Sequence, residues 1–127
     1  GGEPTPAVGV AHGIDRLVLA LKKQKILTKI GVERRVMVIP IGEETRAKAI
    51  ELSEMLRIAN IPVEAEVVER TVSKALQDAD RRSVTHAVIV GAEELKADKV
   101  VLRDMKKRVQ KAIKIKNLSE EILKNMM

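Results

Sequence analysis

"VMVIPIGEETRAKAIELSEMLRIANIPVEAEVV", residues 36–68, decides the fold. From Val36 to Ile41 the chain is apolar without a break and of strand length, the pattern of a strand covered on both faces. Gly42 ends it. Glu43 and Glu44 stand where acidic groups suit the positive end of a helix, and beyond them Ala49, Leu52, Leu56 and Ala59 share one helical face. Asn60-Ile61-Pro62 closes that helix, because the residue before a proline is pushed out of helical backbone geometry. Val63, Ala65 and Val67 then alternate with Glu64 and Glu66 up to Val68, as in a strand with one wet face. A strand, an amphipathic helix and a second strand in succession predict a βαβ unit with parallel strands.

Moving outward, Thr71 suits the N-cap of a second helix, in which Val72, Ala75, Leu76 and Ala79 follow helical spacing. "HAVIVGA" (86–92) reads as another buried strand. After it "KVVLRDM" and "KAIKI" are short strand candidates separated only by Lys106 to Gln110, a gap that permits a hairpin and not a crossover helix. Ser119 as N-cap, Glu120 and Glu121 in the first turn, and Leu118 placed to staple against Leu123 announce a last helix. The order β-α-β-α-β, then β-β, then α predicts a three-layer α/β domain over 34–127, with a mixed five-stranded sheet flanked by about three helices. "KKQKILTKIGVERR" mixes charges with Gly31 and reads as a linker over 22–33, and 1–21 lie outside the domain.

Charge is unevenly spread. The chain carries a formal net charge of +6, yet residues 96–117 alone hold nine Lys or Arg against two Asp, so the whole basic excess lies in the hairpin segment. Such clustering is the footprint of a polyanion-binding patch, and equally of lysines that blunt an exposed sheet edge. The chain contains no Phe, Trp or Tyr. Its core must be aliphatic, and any stacking on nucleic-acid bases falls to guanidinium planes, with Arg103 and Arg108 best placed. Absence of cysteine removes disulfides, thiol nucleophiles and Cys-based zinc sites, and the two histidines, His12 and His86, lie too far apart to suggest a metal centre. No apolar run approaches the ~20 residues of a membrane span, so the sequence predicts a soluble, cytoplasmic protein with no membrane partner.

"TPAVGVAHGIDRLVLAL" (5–21) reads as a strand from Ala7 to Val10, a turn of small residues, and a helix from Ile14 that offers Leu17, Val18 and Leu21 for burial. Glycines allow close approach, a helix start favours an anion, and Arg16 in the first turn could hold a phosphate. Packing with an exposed arginine is the plainer alternative. This stretch resembles motif 3 of class II aminoacyl-tRNA synthetases in the form typical of the histidyl family. "VMVIPIGEETRAKAIELSEMLRIANIPVEAEV" and "ALQDADRRSVTHAVIVGAEELKADKVVLRDM" are similar to the anticodon-binding domain shared by the histidyl, prolyl, threonyl and glycyl enzymes.

The resemblance implies that 1–21 are a strand-helix remnant of a catalytic domain. Arg16 would hold the phosphates of ATP, Gly9, Ala11 and Gly13 would make room for the nucleotide, and His12 falls at a variable slot. ATP and magnesium would serve the full enzyme, a histidine-activating ligase expected to be a homodimer; the chain alone lacks motifs 1 and 2 and should bind no cofactor and be inactive. It further implies a tRNA partner through the histidine anticodon arm. Glu94, Lys96 and Arg103 would supply base contacts, with Glu69 and Arg70 bordering the same surface. Lys74, flanked by Ser73 and Ala75 where the histidyl members carry lysine and glutamine, joins them. Lys106, Lys107 and Lys111, beside Arg108, suit phosphates, which position RNA without reading it. Two other classes compete: a non-catalytic RNA or protein interaction module of the same fold, and a flavodoxin-like signalling domain. Glu43, Glu44, Glu93 and Glu94 give the latter some of its acidic strand ends, but the basic hairpin does not fit it.

Overall fold

A computed structural model describes residues 1–26 and 35–126. The chain divides into two units, 1–32 and 33–127. In the first, 1–13 have no regular structure and α1 spans Ile14–Lys23. The strand expected over Ala7–Val10 is not formed: a lone extended segment needs a partner to satisfy its backbone groups, and among the described residues none pairs with it. The helix runs to Lys23, so the first two positions of the expected linker are helical; 27–33 of it lie outside the described residues. No residue of α1 is buried.

The second unit carries β1 (Val36–Pro40), α2 (Arg46–Ile58), β2 (Val63–Ala65), α3 (Val72–Arg81), β3 (His86–Val90), α4 (Ala92–Lys96), β4 (Lys99–Asp104), β5 (Val109–Lys114) and α5 (Leu118–Met126). The strands form one sheet in the order β2-β1-β3-β4-β5. β1 pairs in parallel with β2 and β3, and the β3–β4 and β4–β5 pairs are antiparallel. The first crossover moves outward from β1 and the second returns past it, so right-handed connections require helices on opposite faces. They are found there.

On one face Ala49, Leu52 and Leu56 of α2 and Leu118 and Ile122 of α5 pack on Val36, Val38, Val88, Val90, Val100, Leu102 and Ile113. On the other, Ala75 and Ala79 of α3 let that helix approach Met37, Ile39 and Ala87 closely. Gly42, at φ +80°, makes the turn out of β1, a backbone region open to glycine and strained for other residues.

β3 ends at Val90, two residues short of the expected strand, and β5 starts at Val109, two residues before the expected one, and three further elements differ from expectation. β2 stops at Ala65: Glu66 gives its carboxylate to the Val68 N–H at 2.9 Å and to Arg70 at 3.3 Å, and the chain leaves the edge with Val67 and Val68 exposed. The short α4 falls between β3 and β4, where the sequence reading places no helix. α5 starts at Leu118, after a 3-10 turn, rather than being capped by Ser119; Leu118 and Ile122 are buried together while Leu123 is 43% exposed, so no staple to Leu123 forms.

Candidate nucleic-acid interface

Val100 and Leu102 of β4 and Ile113 of β5 face α2 and α5. Strand alternation therefore turns Lys99, Val101 and Arg103, and Gln110, Ala112 and Lys114, to the other face. α3 packs there on residues of β1 and β3, so the β4–β5 half of this face stays open. Register sets the six residues in three cross-strand rows: Lys99 opposite Lys114, Val101 opposite Ala112, Arg103 opposite Gln110. Rows two residues apart are separated by about 7 Å. A low apolar step thus lies between a lysine pair and an arginine–glutamine pair, and none of the six carries a negative charge.

Across the last row Arg103 Nη1 donates to Gln110 Oε1 at 3.0 Å. The Lys99–Lys114 row sets like charges directly opposite, which destabilises a sheet. Of these six, the sequence reading singles out only Arg103. Lys99 and Lys114 join the site through the β4–β5 register, which alternation within each strand could have suggested; Gln110, read from the sequence as part of the gap between the strands, falls inside β5, which starts at Val109.

Apart from Arg103, the residues of the second unit singled out in the sequence fall in three places. β1, β2 and β3 all end beside helix starts, and β4 begins at that end; Glu69, Arg70, Lys74, Glu94 and Lys96 belong there. Lys106, Lys107 and Arg108 occupy the β4–β5 turn at the opposite end, about 17 to 20 Å away along a six-residue strand. Lys111 lies on the face that α5 covers and is ion-paired with Glu121. The structure therefore sets Glu69 and Arg70 at the strand end that holds Glu94 and Lys96, and Arg103 toward the other end of β4, next to the turn cations.

Local partners differ as well. Asp104 anchors the turn by accepting the Lys107 backbone N–H at 2.8 Å. That bond is the main reason its carboxyl lies below the ordinary value; the charges of His86 and Lys107 add to it, against partial burial. Arg108 adopts φ +57° as the chain turns into β5. Arg70 is engaged at 3.3 Å by Glu66 and at 3.6 Å by Asp78, and with Glu69 it borders a cleft of about 500 Å³ at the ends of β1 and β2. Lys74 donates its N–H to the Thr71 hydroxyl at 3.4 Å, the N-cap expected for α3. Lys96 pairs with Glu93 at 2.6 Å, and the Glu94 carboxylate folds over Gly91.

In the first unit Gly9, Ala11, Gly13 and Arg16 are all exposed. Among the described residues no three His, Cys, Asp or Glu side chains gather to hold a metal, and no helix is long and apolar enough to cross a membrane.

Residues 35–125 match the family described as the anticodon binding domain. The chain is 43% identical over 125 residues to a histidine–tRNA ligase of Thermococcus kodakarensis, covering 97% of this chain and 29% of that protein. It is 35% identical over 127 residues to the histidine–tRNA ligase of Pyrococcus furiosus, again covering 29% of the relative. It thus spans under a third of the length of these curated relatives. Among solved structures, histidyl-tRNA synthetase from Nostoc sp. PCC 7120 superposes with a TM-score of 0.72 at 28% identity, over 91% of this chain and 28% of that one. The RNA binding domain of threonyl-tRNA synthetase from Cryptosporidium parvum shares the fold, with a TM-score of 0.66 at 20% identity, over 70% of this chain and 22% of that one.

Proposed function

The chain belongs to the anticodon-binding-domain family over residues 35–125, and on that premise we propose that it is the tRNA-binding portion of a histidine–tRNA ligase, with the open β4–β5 face as the seat of the anticodon bases. The observation that carries the reading is the three-row strip: cations at both ends, no carboxylate, and a like-charged row that costs sheet stability without serving the fold. Unpaired RNA bases are splayed, held by their faces and read at their edges. In a chain without Phe, Trp or Tyr, Arg103 supplies the planar group and the Val101–Ala112 step supplies the floor. Lys106, Lys107 and Arg108, exposed at the turn, meet phosphates of the adjoining RNA.

Residues 1–21 belong in this reading to the catalytic domain of the ligase, a cytoplasmic homodimer. Arg16 and the glycines before α1 fit one edge of an ATP site, a phosphate contact at a helix start. ATP with magnesium supplies the activation of histidine in the full enzyme. Here Arg16 offers a fixed positive charge in the first turn of a helix that buries none of its residues, so it can touch a phosphate without enclosing a nucleotide.

Filter binding of an RNA stem-loop carrying the histidine anticodon, against one with a scrambled loop, tests the reading. Arg103→Ala is expected to weaken the cognate stem-loop by ~1 to 3 kcal/mol and to leave the scrambled one nearly unchanged. Replacing Lys106, Lys107 and Arg108 together with glutamine weakens both RNAs alike and lowers the log–log salt slope by about 0.7 to 0.9 for each phosphate no longer neutralised. Wild-type protein that binds neither RNA better than a neutral control protein would sink the reading.

A further inference from the structure

Six of the eight arginines in the described part of the second unit are held by carboxylates, Arg103 and the turn residue Arg108 being the others. Arg35 is held by Glu64, Arg46 by Glu43, Arg57 by Glu54, Arg70 by Glu66 and Asp78, and Arg81 and Arg82 by Asp78, Arg82 also by Glu64. Arg103 is different. Its partner is the neutral amide of Gln110, directly opposite in the β4–β5 register, at 3.0 Å. Every guanidinium nitrogen is a donor, so the amide must turn its oxygen to Arg103 and its NH2 away. A carboxylate at this position would fix the guanidinium equally well but cancel its charge. An amide fixes it and leaves the charge whole.

Resting on the RNA-binding reading above, we propose that Gln110 is a positioning residue for that site: it orients the Arg103 guanidinium over the open strip while preserving its charge and its remaining donors for an RNA base. The neighbours suit this. Ala87 lies opposite Arg103 on β3 and Ala112 lies diagonally across on β5, so no bulky side chain from these positions stands over the plane. One of five guanidinium N–H groups is engaged by Gln110, and the others face acceptor-rich base edges. A free arginine side chain would have to be ordered on binding, whereas one already oriented loses less freedom for each bond it forms.

The test uses the full chain and the stem-loop carrying the histidine anticodon, in a double-mutant cycle of Gln110→Leu, which keeps bulk and removes the acceptor, with Arg103→Ala. Gln110→Leu is expected to weaken binding about three- to tenfold with the salt slope unchanged, and to have no effect once Arg103 is alanine. Equal loss in both backgrounds would mean that Gln110 touches RNA itself or supports the sheet generally, and overturns the proposal. A loss for Arg103→Ala with none for Gln110→Leu overturns it too. If Arg103→Ala alone changes nothing, base reading at Arg103 fails and this inference with it. A second readout needs no RNA: rotation of the Arg103 guanidinium about its Nε–Cζ bond, followed by NMR in the free protein, should speed up in Gln110→Leu. Unchanged rotation refutes the positioning role even if RNA binds as proposed.

Discussion

At the scale of single residues, the open strip trades stability for charge. Lys99 and Lys114 face each other at the end of the β4–β5 pair, where opposite charges would contribute roughly 0.2 to 1 kcal/mol and like charges cost stability. Lys114→Glu should therefore raise the thermal midpoint while weakening RNA binding, and a melting curve beside a binding curve checks both signs. A variant that loses stability would show that Lys114 serves the sheet rather than the strip. Of the six strip residues only Arg103 is legible in the sequence, through the basic excess of 96–117 and the lack of Phe, Trp and Tyr, which mark the hairpin. The pairings are not. Which lysine faces which, and that Gln110 meets Arg103, depend on the register set by the Met105–Arg108 turn, and a one-residue slip sends every side chain to the opposite face.

Among the elements, α2 and α3 hold the sheet by different means. α2 brings leucines, so Leu52 or Leu56→Ala would open a cavity of the ordinary costly kind. α3 brings Ala75 and Ala79 and fastens its outer side by charge: Asp78 takes Arg70, Arg81 and Arg82, Arg82 reaches on to Glu64, and Glu64 also takes Arg35. The Asp78 carboxyl lies below its ordinary value of 3.8, first because Arg81 donates a hydrogen bond to it and then through the three arginine charges, against desolvation. A carboxyl lowered in the folded state contributes stability above its unfolded value, and that contribution disappears as pH falls through the folded one. Urea midpoints taken from neutral pH downward should thus drop below pH 3.8 in the wild type. Asp78→Asn should start lower at neutral pH and fall less steeply; a curve parallel to the wild type would show that the arginines hold α3 without needing the charge of Asp78. Asp104 titrates in the same direction, so the variant curve flattens without becoming level. Helical spacing foretold α2 and α3 because their buried faces are periodic. It missed the early end of β2, where alternation continues past Ala65 but the side chain of Glu66 turns back on its own backbone, and α4, whose five residues are too few for a period to register.

Over the whole molecule, burial is concentrated in the second unit. Every buried apolar residue among those described lies between Val36 and Ile122, whereas Val8, Val10, Ile14, Leu17 and Leu19 in the first unit are more than half exposed. A ten-residue helix with no buried face is marginal in water, because nucleation is costly and packing supplies most helical stability in proteins. The two units should therefore differ sharply in native-state hydrogen exchange. Amides of α1 should exchange near the rate of an unstructured peptide, while those of Val38, Ile39 and Val88 to Val90, inside the paired centre of the sheet, should open only with global unfolding. Deleting residues 1–26 should leave the urea midpoint unchanged and RNA binding intact, since the strip, the turn and the core that carries them all lie after Arg35. Protection of Leu17 to Leu21 equal to that of β3, or a lowered midpoint on deletion, would show instead that the apolar side of α1 has a packing site within this chain, and the assignment of 1–21 to a separate catalytic domain would fall.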